Sequence, residues 1–295
     1  LMSFCGTGYQ GMQVNPGAKT IEGDLFQAMV AAGAISRDNA DDPKKVGLMR
    51  AARTDKGVHA AGQAISLKMI IEDPDVIAKI NAHLPEQIRV WGYVRSINSF
   101  HAKNMCDSRI YEYLLPTYVL QPREAYGGSS STTTTTADQP AAASADAAGS
   151  CVYTDVQTGE QYTWTPPGPS TPEEMARRRA YRIDPATLER VREALGAYEG
   201  THNYHNYTCA KKFHEESAKR YIMSFKASDP FIQQGTEWLS LKVHGQSFML
   251  HQIRKMVSMM VLLVRSGTPL SVIPQSFAAT KINIPKAPGL GLLLE

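Results

Sequence analysis

The densest concentration of reactive side chains lies in Arg50-Ala51-Ala52-Arg53-Thr54-Asp55-Lys56-Gly57-Val58-His59-Ala60-Ala61-Gly62. Two arginines, a lysine and a histidine surround a single acid, Asp55, and the glycines allow close approach by another backbone or a ligand. Flanked by Arg53 and Lys56, that carboxylate should stay ionised, because neighbouring positive charge favours the charged form. Such a group offers a nucleophile or a stabiliser of developing positive charge. The same residues also suit a tight, charged surface turn. A second candidate is the apolar run from Phe248 to Val264, read as a helix with Leu250, Ile253, Met256, Val257, Met260, Val261 and Val264 over a wide arc. His251, Arg254 and Ser258 form a narrow polar stripe on it at i, i+3 and i+7. An arginine entering so apolar a helix must reach solvent or an acid, since an unpaired buried charge is very costly.

Other clusters carry weaker signals. His202, His205, Cys209 and His214 have nearly metal-ligand spacing but no compact frame, so a metal is not expected. Interleaved Tyr204, Tyr207, Lys211 and Lys212 are what a surface that stacks bases and meets phosphates would use, and equally what a packed aromatic loop contains. Gly6-Thr7-Gly8-Tyr9-Gln10-Gly11 lacks both the spacing and the strand–helix context of a dinucleotide loop. Arg177-Arg178-Arg179 reads as a solvated helix face or as a phosphate contact.

Arg53-Thr54-Asp55-Lys56-Gly57-Val58-His59-Ala60 resembles the signature of the TruA-type tRNA pseudouridine synthases, closest to their eukaryotic multisite branch. Weaker echoes of that family occur at Gly6–Gln13, at Arg109-Ile110-Tyr111-Glu112-Tyr113, at Gly200-Thr201-His202-Asn203-Tyr204, around Arg254, and at Ile284–Leu292. The resemblance runs through nearly the whole chain outside a low-complexity insertion. It implies an α+β protein of two ferredoxin-like halves, their sheets joined into one extended, mainly antiparallel sheet with the active-site cleft between them. Asp55 falls at the position of the essential aspartate, and Tyr111 at that of the tyrosine that stacks on the uracil. Arg254 corresponds to an arginine that salt-bridges the aspartate and orients it. RNA contacts are implied for Arg53, Lys56, His59, Arg109, His202, Tyr204, Lys211, Lys212 and Lys255, and an apolar base pocket for Leu290 and Leu292, although a plain buried strand explains those leucines equally well.

The reaction so implied is isomerisation of uridine to pseudouridine within tRNA, extending to other structured RNAs, with no cofactor and no metal. Whether the aspartate attacks the sugar, attacks the base or only stabilises charge stays open at this level. The target uridine should leave its stack, and salt should weaken binding. Two rivals have other signatures: an idle RNA-binding module keeps the cations and aromatics, and a glycosidic-bond-cleaving enzyme usually shows paired carboxylates, where this signature has one acid. Bacterial relatives dimerise, but the insertion and long exposed loops obstruct the same surface, so a monomer is expected. The eukaryotic resemblance places the protein in the nucleus, with the mitochondrion as a second compartment.

The chain has 295 residues, 43% of them hydrophobic, which fits one or two substantial cores. Thirty-one Lys and Arg against 28 Asp and Glu leave +3, so an electrostatic case for nucleic acid rests on local clusters. Four scattered cysteines without a CxxC pair argue against a disulfide framework. The most apolar run, Met256–Val264, is far short of the roughly 20 residues that cross a bilayer, so no membrane partner is expected. The chain opens on Leu1 and runs straight into apparent fold, and the expectation is that the natural start lies upstream, with any import signal.

Residues 1–97 are expected to form an amino-terminal half carrying the Asp55 loop, and 98–295 a carboxy-terminal half interrupted by the Ser-, Thr- and Ala-rich insertion at about 127–150. Thr20 caps a helix with Leu25, Phe26, Met29 and Val30 inward. Alternation marks strands at Ala64–Ile70 and Ile110–Leu115, and further strands are expected at Ile88–Val94, Ser217–Ala227 and Trp238–Val243. Asp73-Pro74, the capping box Thr171–Glu174 and Asp184-Pro185 each mark a helix start.

Overall fold

The computed structural model describes residues 1–122, 151–154, 161–164, 170–209 and 211–295. The insertion expected at about 127–150 lies outside the described residues. In chain order the elements of the amino-terminal half are β1 (Met2–Phe4), α1 (Ile21–Ala31), β2 (Met49–Arg50), β3 (His59–Gln63), β4 (Ile65–Ser66), α2 (Val76–His83) and β5 (Ile88–Val90). Then follow β6 (Arg109–Pro116), β7 (Cys151–Thr154), β8 (Gln161–Trp164), α3 (Pro172–Ala180) and α4 (Pro185–Gly196). The remainder comprises β9 (Gly200–Asn203), β10 (Lys219–Ala227), β11 (Phe231–Gln233), β12 (Thr236–Gly245), α5 (Gln252–Ser266), α6 (Val272–Gln275) and β13 (Leu292–Leu294).

Nine strands form one sheet in the order β5-β1-β3-β13-β6-β12-β10-β9, with β11 added to β12. Every pairing is antiparallel except β13 with β3. The amino-terminal strands therefore join the later ones where the last strand of the chain slots between β3 and β6. β6 reads out its period-two pattern: Tyr111, Tyr113 and Leu115 are buried, while Ile110 and Leu114 are exposed on the other face. Their cross-strand partners on the buried face, Val243, Leu241, Leu292 and Leu294, continue the same apolar layer. Helix α5 lies over this layer with Ile253, Met256, Val257, Met260, Leu263 and Val264 buried, and α4 packs between it and β10. Each such large apolar side chain contributes on the order of 1.5–3 kcal/mol by leaving water.

Local signals act where expected at three helices. The Thr20 hydroxyl accepts from Gly23 N, Thr171 and Glu174 close a reciprocal capping box, and Asp184 accepts from Thr187 N at 2.9 Å. Elsewhere tertiary contacts shift the boundaries. Asp73 accepts from Asp75 N and pairs with Lys79, so that turn is a separate unit and α2 begins only at Val76. The alternating run Ala64–Ile70 yields only the two residues of β4. Lys68 N donates to Val46 O and Ile70 N to Ala34 O, which draws the chain off the ladder. The strand at Ile88 stops at Val90, and β10 begins at Lys219 after a 3-10 turn. Between β11 and β12, Gln234 and Gly235 both have positive φ, the backbone of a two-residue hairpin turn.

Candidate active site

The loop bearing Asp55 is held from three sides. Gly11 has φ 111°, and a Cβ there would lie 2.9 Å from Thr54 O, so glycine lets Met12 N reach that carbonyl at 3.1 Å. A Cβ on Gly6 would lie 2.1 Å from Val58 O, and one on Gly289 would lie 2.6 Å from Lys56 O. The glycine-rich turn near the amino terminus and the Pro-Gly segment near the carboxy terminus thus sandwich residues 54–58. The buried Gln63 amide closes the loop's entry, donating to Ala52 O at 2.7 Å and accepting from Ala52 N at 3.2 Å. Arg50 pairs with the buried Glu22 of α1 at 2.7 Å, and burial pushes that carboxyl up against the opposing pull of Val14 N and Arg50.

This loop faces a cleft of about 590 Å³ lined by Arg50 to Asp55, Tyr111, Phe248, His251, Arg254 and Leu292, among others. The volume falls in the range of about 300–1,000 Å³ usual for small-molecule sites. Arg254 Nη1 lies 3.3 Å from Asp55 Oδ2, joining residues 199 apart in the chain. Only 9% of Arg254 is exposed, and its Nε donates to Ala287 O at 2.7 Å, which fixes the plane of the guanidinium. His251 Nε2 lies 3.6 Å from the same carboxylate oxygen. Tyr111 rises from the middle of β6 with its ring edge-on to Phe248 at 5.3 Å. Burial raises its phenol above the ordinary value; Arg109 opposes this and Asp55 reinforces it, so Tyr111 is a neutral phenol at physiological pH. Tyr113 is pushed up to about 12 by burial and donates to Pro288 O at 3.0 Å.

The structure gathers Asp55, Tyr111, Arg254, Arg53, Arg109 and Leu292 on the cleft wall. Arg109 is committed to backbone: Nη2 and Nε donate to Ala51 O at 2.8 and 3.2 Å, and Nη1 to Gln246 O at 2.7 Å. It therefore ties β6 to the Asp55 loop rather than offering its guanidinium to a phosphate. Lys56 is exposed beside the cleft, and His59 is spent between Gly6 N and Leu290 O. Leu290 itself is 60% exposed against Gly57, outside the cleft lining, whereas Leu292 is buried within it. Lys255 Nζ donates to Asn206 O and Thr208 O, both at 3.3 Å.

The block around residue 204 lies away from the cleft wall. Tyr204 is fully buried, donating to Tyr198 O, and a ring with no exposed surface cannot stack on a base. It belongs to an aromatic core with Tyr198, Tyr207 and Phe277, on which His202 stacks at 4.3 Å. That core supports α5, since Tyr198 OH donates to Met256 O. Lys211 pairs with Glu215 at 2.5 Å, and Lys212 is exposed. Among the described residues no three potential ligands converge on a metal position.

Helix α5 begins later than the apolar pattern indicates. Phe248 to His251 are non-helical, and His251 stands at the N-cap with left-handed backbone, φ 63°. This bend turns its ring toward Asp55. The stripe of His251, Arg254 and Ser258 was visible in the sequence, but the contact of His251 with the acid was not. Gln63, Phe248 and the backbone role of Arg109 likewise left no sequence signal beyond residue type.

Fold and site together define an α+β protein with an arginine-held carboxylate on the wall of a cleft. Residues 194–295 match the family model described as tRNA pseudouridine synthase. The whole chain aligns with the tRNA pseudouridine synthase 1 of Yarrowia lipolytica at 50% identity, covering 62% of that protein, and with that of Schizosaccharomyces pombe at 40% identity, covering 71%. It also aligns with the mouse pseudouridylate synthase 1 homolog at 40% identity, covering 59%. The chain belongs to the tRNA pseudouridine synthase family. It spans only part of the length of the relatives it is most similar to, 62% of the Yarrowia lipolytica protein and 55% of the Candida albicans one.

Proposed function

We propose that this protein isomerises uridine to pseudouridine in tRNA, with Asp55 as the essential carboxylate. The observation that carries the reading is the 3.3 Å pairing of Asp55 with Arg254 on the wall of a cleft of about 590 Å³. In the reaction the N1–C1′ bond of uridine breaks, the uracil turns, and C5 bonds to C1′; N1 gains a proton and C5 loses one, so substrate and product are isomers. An ionised Asp55 meets the positive charge that develops at the anomeric carbon, either by bonding to the sugar or by stabilising it, or else it adds to the base. Arg254 holds the carboxylate in one orientation, and charge placed in advance of the reaction lowers the barrier without reorganisation. Tyr111 lines the cleft beside the acid, where the resemblance puts the residue that meets the uracil.

Because the cleft admits a base only when it leaves its stack, the target uridine is extruded before reaction. Exposed Arg53 and Lys56 at the cleft mouth suit phosphate contacts. The same chemistry extends the proposal to other structured RNAs. We further propose action as a monomer, placed in the nucleus and, second, in the mitochondrion, as the eukaryotic resemblance implies. The test uses tRNA carrying tritium at uracil C5. Tritium release, with unlabelled tRNA converted to a product of unchanged mass, supports isomerisation; free uracil supports bond cleavage, and tRNA binding without turnover supports an idle module.

A further inference from the structure

His251 touches Asp55 through a backbone that few residues adopt. Among the described residues only Gln234 and His251 combine a side chain with positive φ, and Gln234 sits in a hairpin turn where that is routine. A left-handed histidine at a helix start persists only when its surroundings fix it, and such residues cluster at functional sites. Here the bend places Nε2 at 3.6 Å from Asp55 Oδ2 and Nδ1 at 3.4 Å from Cys209 Sγ. In the tautomer whose Nδ1 accepts from the thiol, the ring proton sits on Nε2 and faces the carboxylate.

We propose that His251 is a positioning residue for Asp55: it directs Nε2–H at the oxygen that Arg254 also holds, leaving Oδ1 to meet the substrate. The proposal rests on the uridine-isomerising reading above and deepens it. The groups facing the ring are Asp55 from the signature loop, Arg254 and Lys255 from α5, Lys286 from the carboxy-terminal segment and the Cys209 thiol. Burial lowers the imidazole's proton affinity, Asp55 opposes this, and Lys286, Arg254 and Lys255 add to the lowering. The ring thus gains its second proton at a lower pH than an ordinary histidine does. When it does, a second cation is added beside Asp55, and the carboxylate has less negative charge to offer the anomeric carbon. The rate should therefore fall on the acid side through the titration of His251.

The test measures pseudouridine formation and tRNA affinity from about pH 5 to 8 for the wild type, His251→Gly and His251→Gln. Glycine adopts the left-handed backbone without strain, so the helix start is kept while the ring is lost. Glutamine keeps an N–H donor but does not titrate. The expected result for His251→Gly is a kcat lowered on the order of tenfold or more, with KM for tRNA little changed, as displacement of a reacting group by a fraction of an ångström requires. His251→Gln should recover part of that loss and lack the acid limb seen in the wild type. A glycine variant with wild-type kcat and pH profile, a glutamine variant that keeps the acid limb, or a loss confined to KM or thermal stability overturns the proposal. A wild type that binds tRNA without turnover defeats the isomerase reading and this inference with it. An active wild type matched by an equally active glycine variant defeats this inference alone.

Discussion

Replacing Gly289 by alanine introduces one methyl group between the two halves of the proposed site. The new Cβ would lie 2.6 Å from Lys56 O, 3.6 Å from Val58 Cγ2 and 3.8 Å from Arg254 Cζ. Lys56 follows Asp55 directly, so the intruder presses on the loop carrying the acid while touching the guanidinium that holds it. The clash is with backbone, which cannot swing aside as a long side chain does. Restoring ordinary contact at 3.4 Å from 2.6 Å requires the loop and the segment to part by roughly 0.8 Å. Overpacking of this kind costs about 1–3 kcal/mol of stability, seen as a drop of a few degrees in Tm. The effect on turnover should be larger in proportion, because a misplacement of about 1 Å at reacting groups can cost on the order of a hundredfold. The assay is single-turnover pseudouridine formation with saturating enzyme, beside a thermal melt and a tRNA binding curve. Turnover should fall by about ten- to a hundredfold while binding changes little. A variant with wild-type turnover and Tm would refute the claim that Gly289 sets the distance between Asp55 and Arg254.

Three further outcomes follow from the geometry. Gln63→Leu leaves both polar groups of Ala52 unpaired in a buried place; at about 1–3 kcal/mol for each unsatisfied group, denaturant melts should show a loss of several kcal/mol, and no loss would remove Gln63 from the loop's support. Arg53→Gln should weaken tRNA binding and lower the slope of log affinity against log salt by about 1, whereas an unchanged slope would mean that Arg53 meets no phosphate. Tyr113 is pushed up to about 12, and Tyr111 and Tyr198 are shifted the same way by burial, so their contribution to stability is complete below the unfolded tyrosine value near 10 and lost as pH rises through the folded ones. Denaturant midpoints should therefore fall from about pH 10 upward, less steeply in Tyr113→Phe; a flat profile to pH 12 would contradict it.

What could be read in advance follows the range of the interactions. Helices α1, α3 and α4 carry their start signals within four residues, and the caps at Thr20, Thr171 and Asp184 form as the sequence indicates. β6 announces itself because both of its faces are patterned. The pairing of Asp55 with Arg254 came only through resemblance, since nothing local links residues so far apart. β3 escapes composition, because His59-Ala60-Ala61-Gly62-Gln63 looks like loop and becomes a strand only through β1 and β13. Tyr204 looked like a stacking surface because aromatic residues among lysines fit either a core or a nucleic-acid face, and only the three-dimensional packing decides between them. The start of α5 misled for another reason: the apolar pattern runs on through Phe248 and Leu250, while Leu250 is 55% exposed and His251 breaks the helix.

The claim on which everything else depends is that the Asp55 carboxylate does the chemistry and not merely the folding. Asp55→Asn keeps the size of the side chain and a partner for Arg254 while removing the charge. At matched tRNA occupancy, mass-resolved pseudouridine counting should find turnover in the wild type and none above background in the variant, with unchanged affinity for tRNA. An Asp55→Asn protein that forms pseudouridine at the wild-type rate would contradict the account.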